Sequence, residues 1–270
     1  MIADLLPLAA TFLAAGAAAG LLAGLLGVGG GIVVVPVLYH VLPHLGADES
    51  IRMHMAVGTS LAVIILTAAV SARRHHRRGA VDGPLVRRWT PAVVAGVAAG
   101  AVLAGHAGTA ALNAVFAAVA VLVAGRLALW PAGVEARGAL PRPPWQWGFP
   151  AAIGAVSSLM GIGGGTLTVP VLTACGYPVT RAVGTAAAVG LVIAVPGAIG
   201  FAATGWGVPG RPPASLGYVN LAGVALLAPA TMMAAPFGVR LAHWLPGRVL
   251  RGLFAAFLLA VAGRMAVAAL

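Results

Sequence analysis

The sequence predicts an all-α integral membrane protein made of two related halves. Of its 270 residues, 61% are hydrophobic and only 8% are charged, and the mean hydropathy is +1.02. This composition leaves too little polar surface to cover a soluble globule, and apolar runs near the length that crosses a bilayer recur along the whole chain. Two copies of one glycine-rich motif interrupt those runs, which indicates an internal repeat.

Ten apolar segments can be placed in order along the chain. The segments that directly follow the glycine runs, at 32–45 and 166–178, are short, which predicts half-helices or re-entrant pieces. The other four segments of each half are predicted to be full spans. The ten segments are 5–26, 32–45, 53–72, 90–108, 110–130, 147–160, 166–178, 181–205, 217–235 and 249–270.

The repeat extends well beyond the glycine runs. Gly-Val-Gly-Gly-Gly in the first half recurs as Gly-Ile-Gly-Gly-Gly in the second, and Val-Pro-Val-Leu follows at the same distance in both copies. Two further matches, Ala-Val-Gly-Thr and a segment around Val-Ala-Gly-Arg, occur in the same order, which indicates homologous halves. The matched ranges are 27–38 with 161–172, 56–59 with 182–185, and 123–128 with 261–266.

These matches predict a chain in three parts. Residues 1–131 form an N-terminal transmembrane repeat, residues 132–146 form a linker that contains proline and arginine, and residues 147–270 form a C-terminal transmembrane repeat.

The arginines predict the orientation of the two halves, since an odd number of segments per half would invert the second. The arginine-rich loop after the third segment is predicted to be cytoplasmic. The equivalent loop after the eighth segment has only Arg211 and is predicted to be external. We therefore expect inverted repeats in the cell membrane, inner or plasma, with both termini outside. The arginines of the cytoplasmic loop are Arg73, Arg74, Arg77, Arg78, Arg87 and Arg88.

The glycine runs are the main candidate for a binding site. In the bilayer core such a run leaves backbone groups that no helix satisfies, and these are stable only beside protein or a water-filled cavity. Where a short helix restarts, free N–H groups and the positive end of the helix dipole can bind an anion without a charged side chain. The alternative is that the glycines only let helices pack closely. The candidate substrate-binding glycines are Gly27, Gly29, Gly30, Gly31, Gly161, Gly163, Gly164 and Gly165, and the candidate hinges are Pro36 and Pro170.

Hydroxyl side chains near the breaks are further candidates for substrate binding. They could donate to an oxyanion, or they could bond back to carbonyl groups of their own helix. The two that directly follow the second glycine run are the better candidates, because the first half has apolar residues at the same places. The hydroxyl candidates are Thr59, Ser60, Thr166, Thr168 and Thr185, and the apolar counterparts of Thr166 and Thr168 are Ile32 and Val34.

Two arginines occupy matching positions inside the last apolar segment of each half. A charge inside a span is expensive and often functional, so Arg126 and Arg264 are candidates for an anion pathway. Both lie near a segment end, so the alternative is that their long side chains reach the membrane interface.

Other classes of function find little support in the sequence. The net charge of +11 comes with few aromatic residues and no soluble face, so no nucleic-acid partner is predicted. The single Cys175 rules out multi-cysteine metal sites. Neither a metal site nor a cofactor is predicted, because His40, His44 and His54 cluster in sequence without further ligands. No catalytic triad or carboxylate pair is evident inside the membrane, so an enzyme is not expected.

The doubled Gly-x-Gly-Gly-Gly-x-x-x-Val-Pro-x-Leu motif, the Ala-x-Gly-Thr that follows and the two-half layout resemble the TauE/SafE family of membrane transporters, the sulfite exporters. The resemblance implies transport, commonly outward, of small sulfur-containing anions such as sulfite, thiosulfate, sulfoacetate or related organosulfonates. The partners implied are such an anion and the lipid bilayer, with no oligomeric state indicated. The alternatives are an importer or channel for thiosulfate-like or sulfate-like anions, or a membrane protein that transports nothing.

The carboxylates bear on how transport is driven. All five acidic residues fall at segment ends or in loops, which leaves no buried proton relay of the kind many coupled transporters use. An anion that leaves a cell with a negative interior gains about 2.3 kcal/mol per charge per 100 mV. Export could therefore run downhill without a coupled ion. The acidic residues are Asp4, Asp48, Glu49, Asp82 and Glu135.

Overall fold

The computed structural model describes residues 2–26, 30–129, 145–244 and 246–269. Within these ranges the chain forms ten α-helices, two short 3-10 turns before the third helix, and one small antiparallel hairpin before the ninth. The helices are α1 (Ile2–Leu26), α2 (Gly31–Val41), α3 (Arg52–Arg77), α4 (Gly83–His106), α5 (Thr109–Leu129), α6 (Trp145–Met160), α7 (Gly165–Ala174), α8 (Val179–Thr204), α9 (Leu221–Trp244) and α10 (Gly247–Val267). The strands are β1 (Ser215–Leu216) and β2 (Val219–Asn220).

The predicted all-α membrane fold is confirmed, because the ten helices follow the ten predicted apolar segments in order, and the inverted repeat within it stays a prediction. Among the described residues, five helices are long and apolar enough to cross a membrane: α3, α4, α5, α8 and α9. The expectation of eight full spans stays a prediction. The expected linker lies outside the described residues up to 144, and α6 begins at Trp145, two residues before the predicted second half.

The two short helices lie where the glycine runs predict them. Helix α2 has 11 residues and α7 has 10. At 1.5 Å per residue each is about 15 Å long, roughly half the thickness of a hydrocarbon core. Each begins at the last glycine of its run, at Gly31 and Gly165.

The predicted arginine-rich loop is wrong in extent. Helix α3 continues through Arg77 and α4 already begins at Gly83, so only Arg78–Asp82 connects them. Hydropathy underestimates the length of such helices. A helix satisfies its own backbone hydrogen bonds and can therefore continue through polar residues beyond the apolar stretch. Five of the six arginines are therefore helical: Arg73, Arg74 and Arg77 on α3, and Arg87 and Arg88 on α4.

The two halves pack against each other in a reciprocal pattern. Helix α1 packs along α9, and its counterpart α6 packs along α4, the counterpart of α9. Two further large contacts join equivalent helices, α3 with α8 and α5 with α10, and α4 also packs on α8. A two-fold relation between two copies of one unit gives such pairs, since each contact then occurs twice with the partners exchanged.

Matching glycines bring the reciprocal helices close together. A Cβ added at Gly20 of α1 would lie 2.3 Å from the Thr231 carbonyl oxygen of α9. The counterpart in the other half, Gly154 of α6, would place a Cβ 2.3 Å from the Val93 carbonyl oxygen of α4. At these positions the close-packing interpretation of the glycines is the right one. The direction of the second half relative to the membrane stays a prediction.

Candidate functional site

The two glycine breaks meet in the interior of the protein. A Cβ at Gly31 would lie 2.8 Å from both the Gly161 carbonyl oxygen and the Ile162 Cα, so the start of α2 touches the second break directly. Gly30 and Gly161 have φ angles of 80° and 65°, a region that favours glycine. Of the predicted site residues, Gly27 and Gly29 lie outside the described residues.

Helix α3 holds the second break in place. The Ser60 hydroxyl donates a hydrogen bond of 2.7 Å to the Gly161 carbonyl oxygen. One turn earlier, the backbone of Val57 comes so close that a Cβ at Gly161 would lie 2.8 Å from the Val57 Cα. In this state the single hydroxyl hydrogen of Ser60 is therefore used within the protein.

The start of α7 carries backbone donors that have no partner among the described residues. Gly164 is the N-cap residue, and no side chain caps the helix. In the part of the chain that the structure describes, no carbonyl group accepts from the N–H groups of Gly163, Gly164, Gly165 or Thr166. Gly163, Gly164 and Thr166 are buried. A buried helix start with free N–H groups and a positive dipole end is suited to hold an anion.

Three buried hydroxyl groups near this helix start also have no hydrogen-bond partner in the described structure. They belong to Ser157, Thr166 and Thr168, whose exposed fractions are 0%, 3% and 0%. An unsatisfied buried hydroxyl costs about 1–3 kcal/mol, so such groups are rare without a ligand or water. Three of them lie within a few residues of one helix break.

Thr166 is the best placed of the three. As the second residue of α7 it lies in the same turn as the free N–H groups. Thr168 follows two residues later, about 200° further round the helix, so it faces a different side. Ser157 lies on the last turn of α6, where its carbonyl oxygen accepts from the Ile162 N–H at 3.0 Å. One small ligand could reach Thr166 and the free N–H groups together.

Sequence reasoning missed Ser157, although a signal was present. Among the described residues, the buried hydroxyl groups without partners all lie in the second half, and the aligned positions of the first half are all apolar. That mismatch marked Thr166 and Thr168, and it applies equally to Ser157. The first-half counterparts of Ser157, Thr166 and Thr168 are Ala23, Ile32 and Val34.

Two of the predicted binding residues, Thr59 and Thr185, join the two halves. The Thr59 hydroxyl of α3 accepts a 3.0 Å hydrogen bond from the backbone N–H of Asn220, just before α9. The Thr185 hydroxyl of α8 accepts a 3.0 Å bond from the backbone N–H of Asp82, just before α4. Neither bond goes to a carbonyl of its own helix, and both hydroxyl hydrogens are left to donate elsewhere. The Ala-Val-Gly-Thr motif thus connects each half to a helix start of the other.

Both helix starts are capped by the residue that the threonine binds. Asp82 Oδ1 accepts from the Leu85 N–H at 3.0 Å, and Asn220 Oδ1 accepts from the Gly223 N–H at 2.7 Å. These are N-caps of the usual kind. Asp82 and Asn220 hold equivalent places in the two halves, which no sequence match had indicated.

Asp82 makes further contacts that extend its role. Its Oδ2 accepts a 3.0 Å bond from the Tyr177 hydroxyl and lies 3.3 Å from Arg181 Nη2. Burial and the hydrogen bond to Asp82 raise the pKa of Tyr177 to about 12, so the tyrosine stays protonated and keeps donating. We call the contacts of Asp82 with Thr185, Tyr177 and Arg181 the Asp82 network.

Replacing Gly184 with alanine should weaken this junction. The new Cβ would lie 2.4 Å from the Ala80 carbonyl oxygen, so the backbone before α4 would have to move. We expect Gly184→Ala to lower the free energy of unfolding by about 2 kcal/mol, as overpacking does. Gly263→Ala is the control, because nothing lies within 4 Å of that position on α10 and alanine favours a helix. Equal thermal unfolding midpoints for the two variants would contradict the close contact.

The candidate pathway arginines are not part of the breaks. Arg126 and Arg264 both lie in the last turn of their helices, α5 and α10, and both are exposed. Pro36 and Pro170 lie inside α2 and α7. A proline has no N–H, so it removes the helical partner of the carbonyl four residues earlier in each short helix. The roles of these residues in a pathway or a hinge stay predictions.

Two of the three histidines singled out in sequence make separate structural contacts. His54 Nε2 lies 3.0 Å from the carbonyl oxygens of both Ala104 and Ala107, and His40 Nδ1 lies 2.7 Å from the Pro36 carbonyl oxygen. Among the described residues, no three histidines, cysteines or acidic residues come together as a metal site would require.

Comparison with known proteins decides the family. The family described as "Sulfite exporter TauE/SafE" matches residues 12–265, nearly the whole chain. The chain belongs to the sulfite exporter TauE/SafE family. The TauE/SafE resemblance drawn from the glycine motifs is thereby confirmed.

Two curated relatives of this TauE/SafE protein are named as transporters. A "Probable membrane transporter protein" of Haemophilus influenzae is 36% identical over 252 residues, which cover 93% of this chain and 95% of that protein. The "Probable membrane transporter protein MJ0441" of Methanocaldococcus jannaschii is 28% identical over 174 residues, 61% of each chain. No solved structure gives a significant match. The protein is a membrane transporter and not an enzyme.

Proposed function

We propose that this TauE/SafE protein exports small sulfur-containing anions, such as sulfite, thiosulfate, sulfoacetate or related organosulfonates, across the cell membrane. The family name supports the substrate class. The anion binds at the junction of the two glycine breaks, with α7 as the main contributor and the first break as its other wall.

The observation that carries this proposal is the buried start of α7, where free N–H groups and the Thr166 hydroxyl lie together. All of these groups can donate a hydrogen bond, and a deprotonated oxyanion offers only acceptors. Donors that are neutral, fixed and shielded from water bind an anion without a permanent counter-charge that would retain it. Such a site suits transport, because the anion must also be released.

The two halves are proposed to be inverted, with both termini outside and the region 73–88 cytoplasmic. The reciprocal pairs α1 with α9 and α6 with α4 support a two-fold relation between the halves. In transporters with inverted repeats, broken helices meet near the midplane and the site opens to each side in turn. The contact of Gly31 with Gly161 and Ile162 supports this proposal, because it brings the two breaks together.

Export is proposed to be driven by the membrane potential. Asp48 precedes the turn that leads into α3, Glu49 begins that turn, and Asp82 caps α4. These three carboxylates therefore lie at helix ends. An anion leaving a negative interior gains about 2.3 kcal/mol per charge per 100 mV, enough to move it outward without a coupled cation.

Proteoliposomes loaded with sulfite or thiosulfate test this function. We expect anion efflux that persists without a proton or sodium gradient and that increases when an imposed potential makes the interior negative. Empty liposomes and liposomes with the Thr166→Val variant are the controls. Flux that strictly requires a proton gradient would contradict potential-driven export, and an absence of flux for all sulfur anions would contradict the substrate class.

A further inference from the structure

We infer that Ile64 of α3 is the gate of the anion pathway, the side chain that closes the junction between the two glycine breaks and limits the size of the anion that passes. This inference rests on the proposed transport function and adds a residue to it.

The Ile64 side chain contacts both breaks. A Cβ at Gly31, in the first break, would lie 2.8 Å from Ile64 Cδ1. A Cβ at Gly163, in the second break, would lie 3.3 Å from Ile64 Cγ2. One isoleucine therefore lies against both glycine runs, and only 2% of it is exposed.

Ile64 also lies beside the donors that the anion needs. Gly163 is one of the residues whose N–H group has no acceptor. Ser60, one turn earlier on the same face of α3, holds the carbonyl oxygen of Gly161. An anion that enters the junction must therefore pass the methyl groups of Ile64. An apolar constriction of this kind excludes water and ions until the side chain moves.

The contact that Ile64 makes in the first half has no equivalent side chain in the second half. When the Ala-Val-Gly-Thr motifs are aligned, the counterpart of Ile64 on α8 is Gly190. A Cβ at Gly190 would lie 3.2 Å from the Gly164 backbone nitrogen, so α8 approaches the second break with its bare backbone. At this aligned position the first half thus supplies a bulky side chain and the second half supplies only backbone, while the neighbouring Val189 of α8 contacts the second break from the other side, with its Cγ1 3.2 Å from a Cβ at Gly164.

Ile64 belongs to a small apolar cluster rather than to the main core. It packs with Ala68 of α3 and Ala194 of α8, and this group is separate from the large cluster that joins the other helices. Loss of its methyl groups would therefore alter the junction more than the general packing. Ile153 of α6 is a matched comparison, since it is 5% exposed and packs in the main cluster.

The test compares Ile64→Val, Ile64→Ala and Ile153→Ala in proteoliposomes, with flux measured for sulfite and for a bulky organosulfonate. We expect Ile64→Ala to raise the flux of the bulky anion by about tenfold relative to sulfite. Only a small reduction of the free-energy barrier to passage is needed for a tenfold change in rate. Ile64→Val should give a smaller increase. Ile153→Ala should lower stability without changing the ratio.

An unchanged size ratio in both Ile64 variants, with both proteins folded and active, would overturn the gate. If the wild type carries no sulfur anion, the proposed function is refuted, and a second measurement still tests the gate. Chloride and nitrate leak is then measured across the same liposomes. Increased leak in Ile64→Ala but not in Ile153→Ala supports the gate, and equal leak in the two variants contradicts it.

Discussion

Replacing Thr166 with valine is expected to remove most anion transport and to leave the protein as stable as before, or more stable. Valine has nearly the shape of threonine, so packing at the start of α7 is kept. The variant loses only a buried hydroxyl that has no partner in the described structure. A hydrogen bond to a charged group contributes about 1.5–3 kcal/mol, so its loss should lower anion affinity roughly tenfold to hundredfold.

Thr166→Val is informative because transport is expected to fall while stability is expected to stay the same or rise. Removal of an unsatisfied hydroxyl relieves a penalty of about 1–3 kcal/mol in the unoccupied protein. A residue important only for the fold would lose stability and activity together. Thermal unfolding in detergent and efflux from proteoliposomes measure the two quantities on the same preparation.

Thr173→Val is the matched control on the same helix. The Thr173 hydroxyl already donates to the carbonyl oxygens of Val169 and Pro170, at 2.9 and 3.1 Å. It is therefore satisfied within α7, and its loss should leave transport near the wild-type rate. Equal transport by Thr166→Val and Thr173→Val would show that the hydroxyl at 166 has no part in binding.

Replacing Asp82 with alanine is expected to lower the free energy of unfolding by about 3 kcal/mol, through loss of a helix cap and of a charge-assisted hydrogen bond. Asp82 caps α4 through Leu85 and accepts from Tyr177, while its own N–H binds Thr185. Arg181 adds little, because its side chain is 53% exposed and water screens the pair.

Two further variants identify the source of this loss. Asp48→Ala removes another capping carboxylate, one that accepts from the Ser50 N–H at an exposed turn, and should have a much smaller effect. Tyr177→Phe removes only the hydroxyl that donates to Asp82, and should reproduce part of the loss. Equal thermal unfolding midpoints for Asp82→Ala and Asp48→Ala would show that the Asp82 network contributes nothing beyond a surface cap.

The sequence was enough to predict the helices and the breaks, because their causes are local. An apolar stretch must be helical in a bilayer, since only a helix satisfies its own backbone there. A run of glycines ends such a helix, which is why α2 and α7 begin at Gly31 and Gly165. Comparison of the two copies also marked Thr166 and Thr168, and their buried hydroxyl groups have no partner among the described residues.

The contacts between the halves could not be predicted, because they depend on how distant segments pack. Nothing in the chain order indicates that Thr59 meets Asn220 or that Thr185 meets Asp82. The place of Ile64 was hidden for the same reason, since one isoleucine among many apolar residues has no distinct pattern. Only the folded arrangement brings it against both glycine breaks.

The most direct test of an anion site at the start of α7 is the shift in unfolding temperature that anions cause in purified protein. Sulfite, thiosulfate, sulfoacetate and sulfate are titrated separately into wild type, Thr166→Val and Thr173→Val, with acetate as a carboxylate control. A ligand that binds only the folded state stabilises it in proportion to its occupancy. We expect at least one sulfur anion to stabilise wild type and Thr173→Val, and to have little effect on Thr166→Val. Equal stabilisation of all three proteins, or of none, would contradict the site.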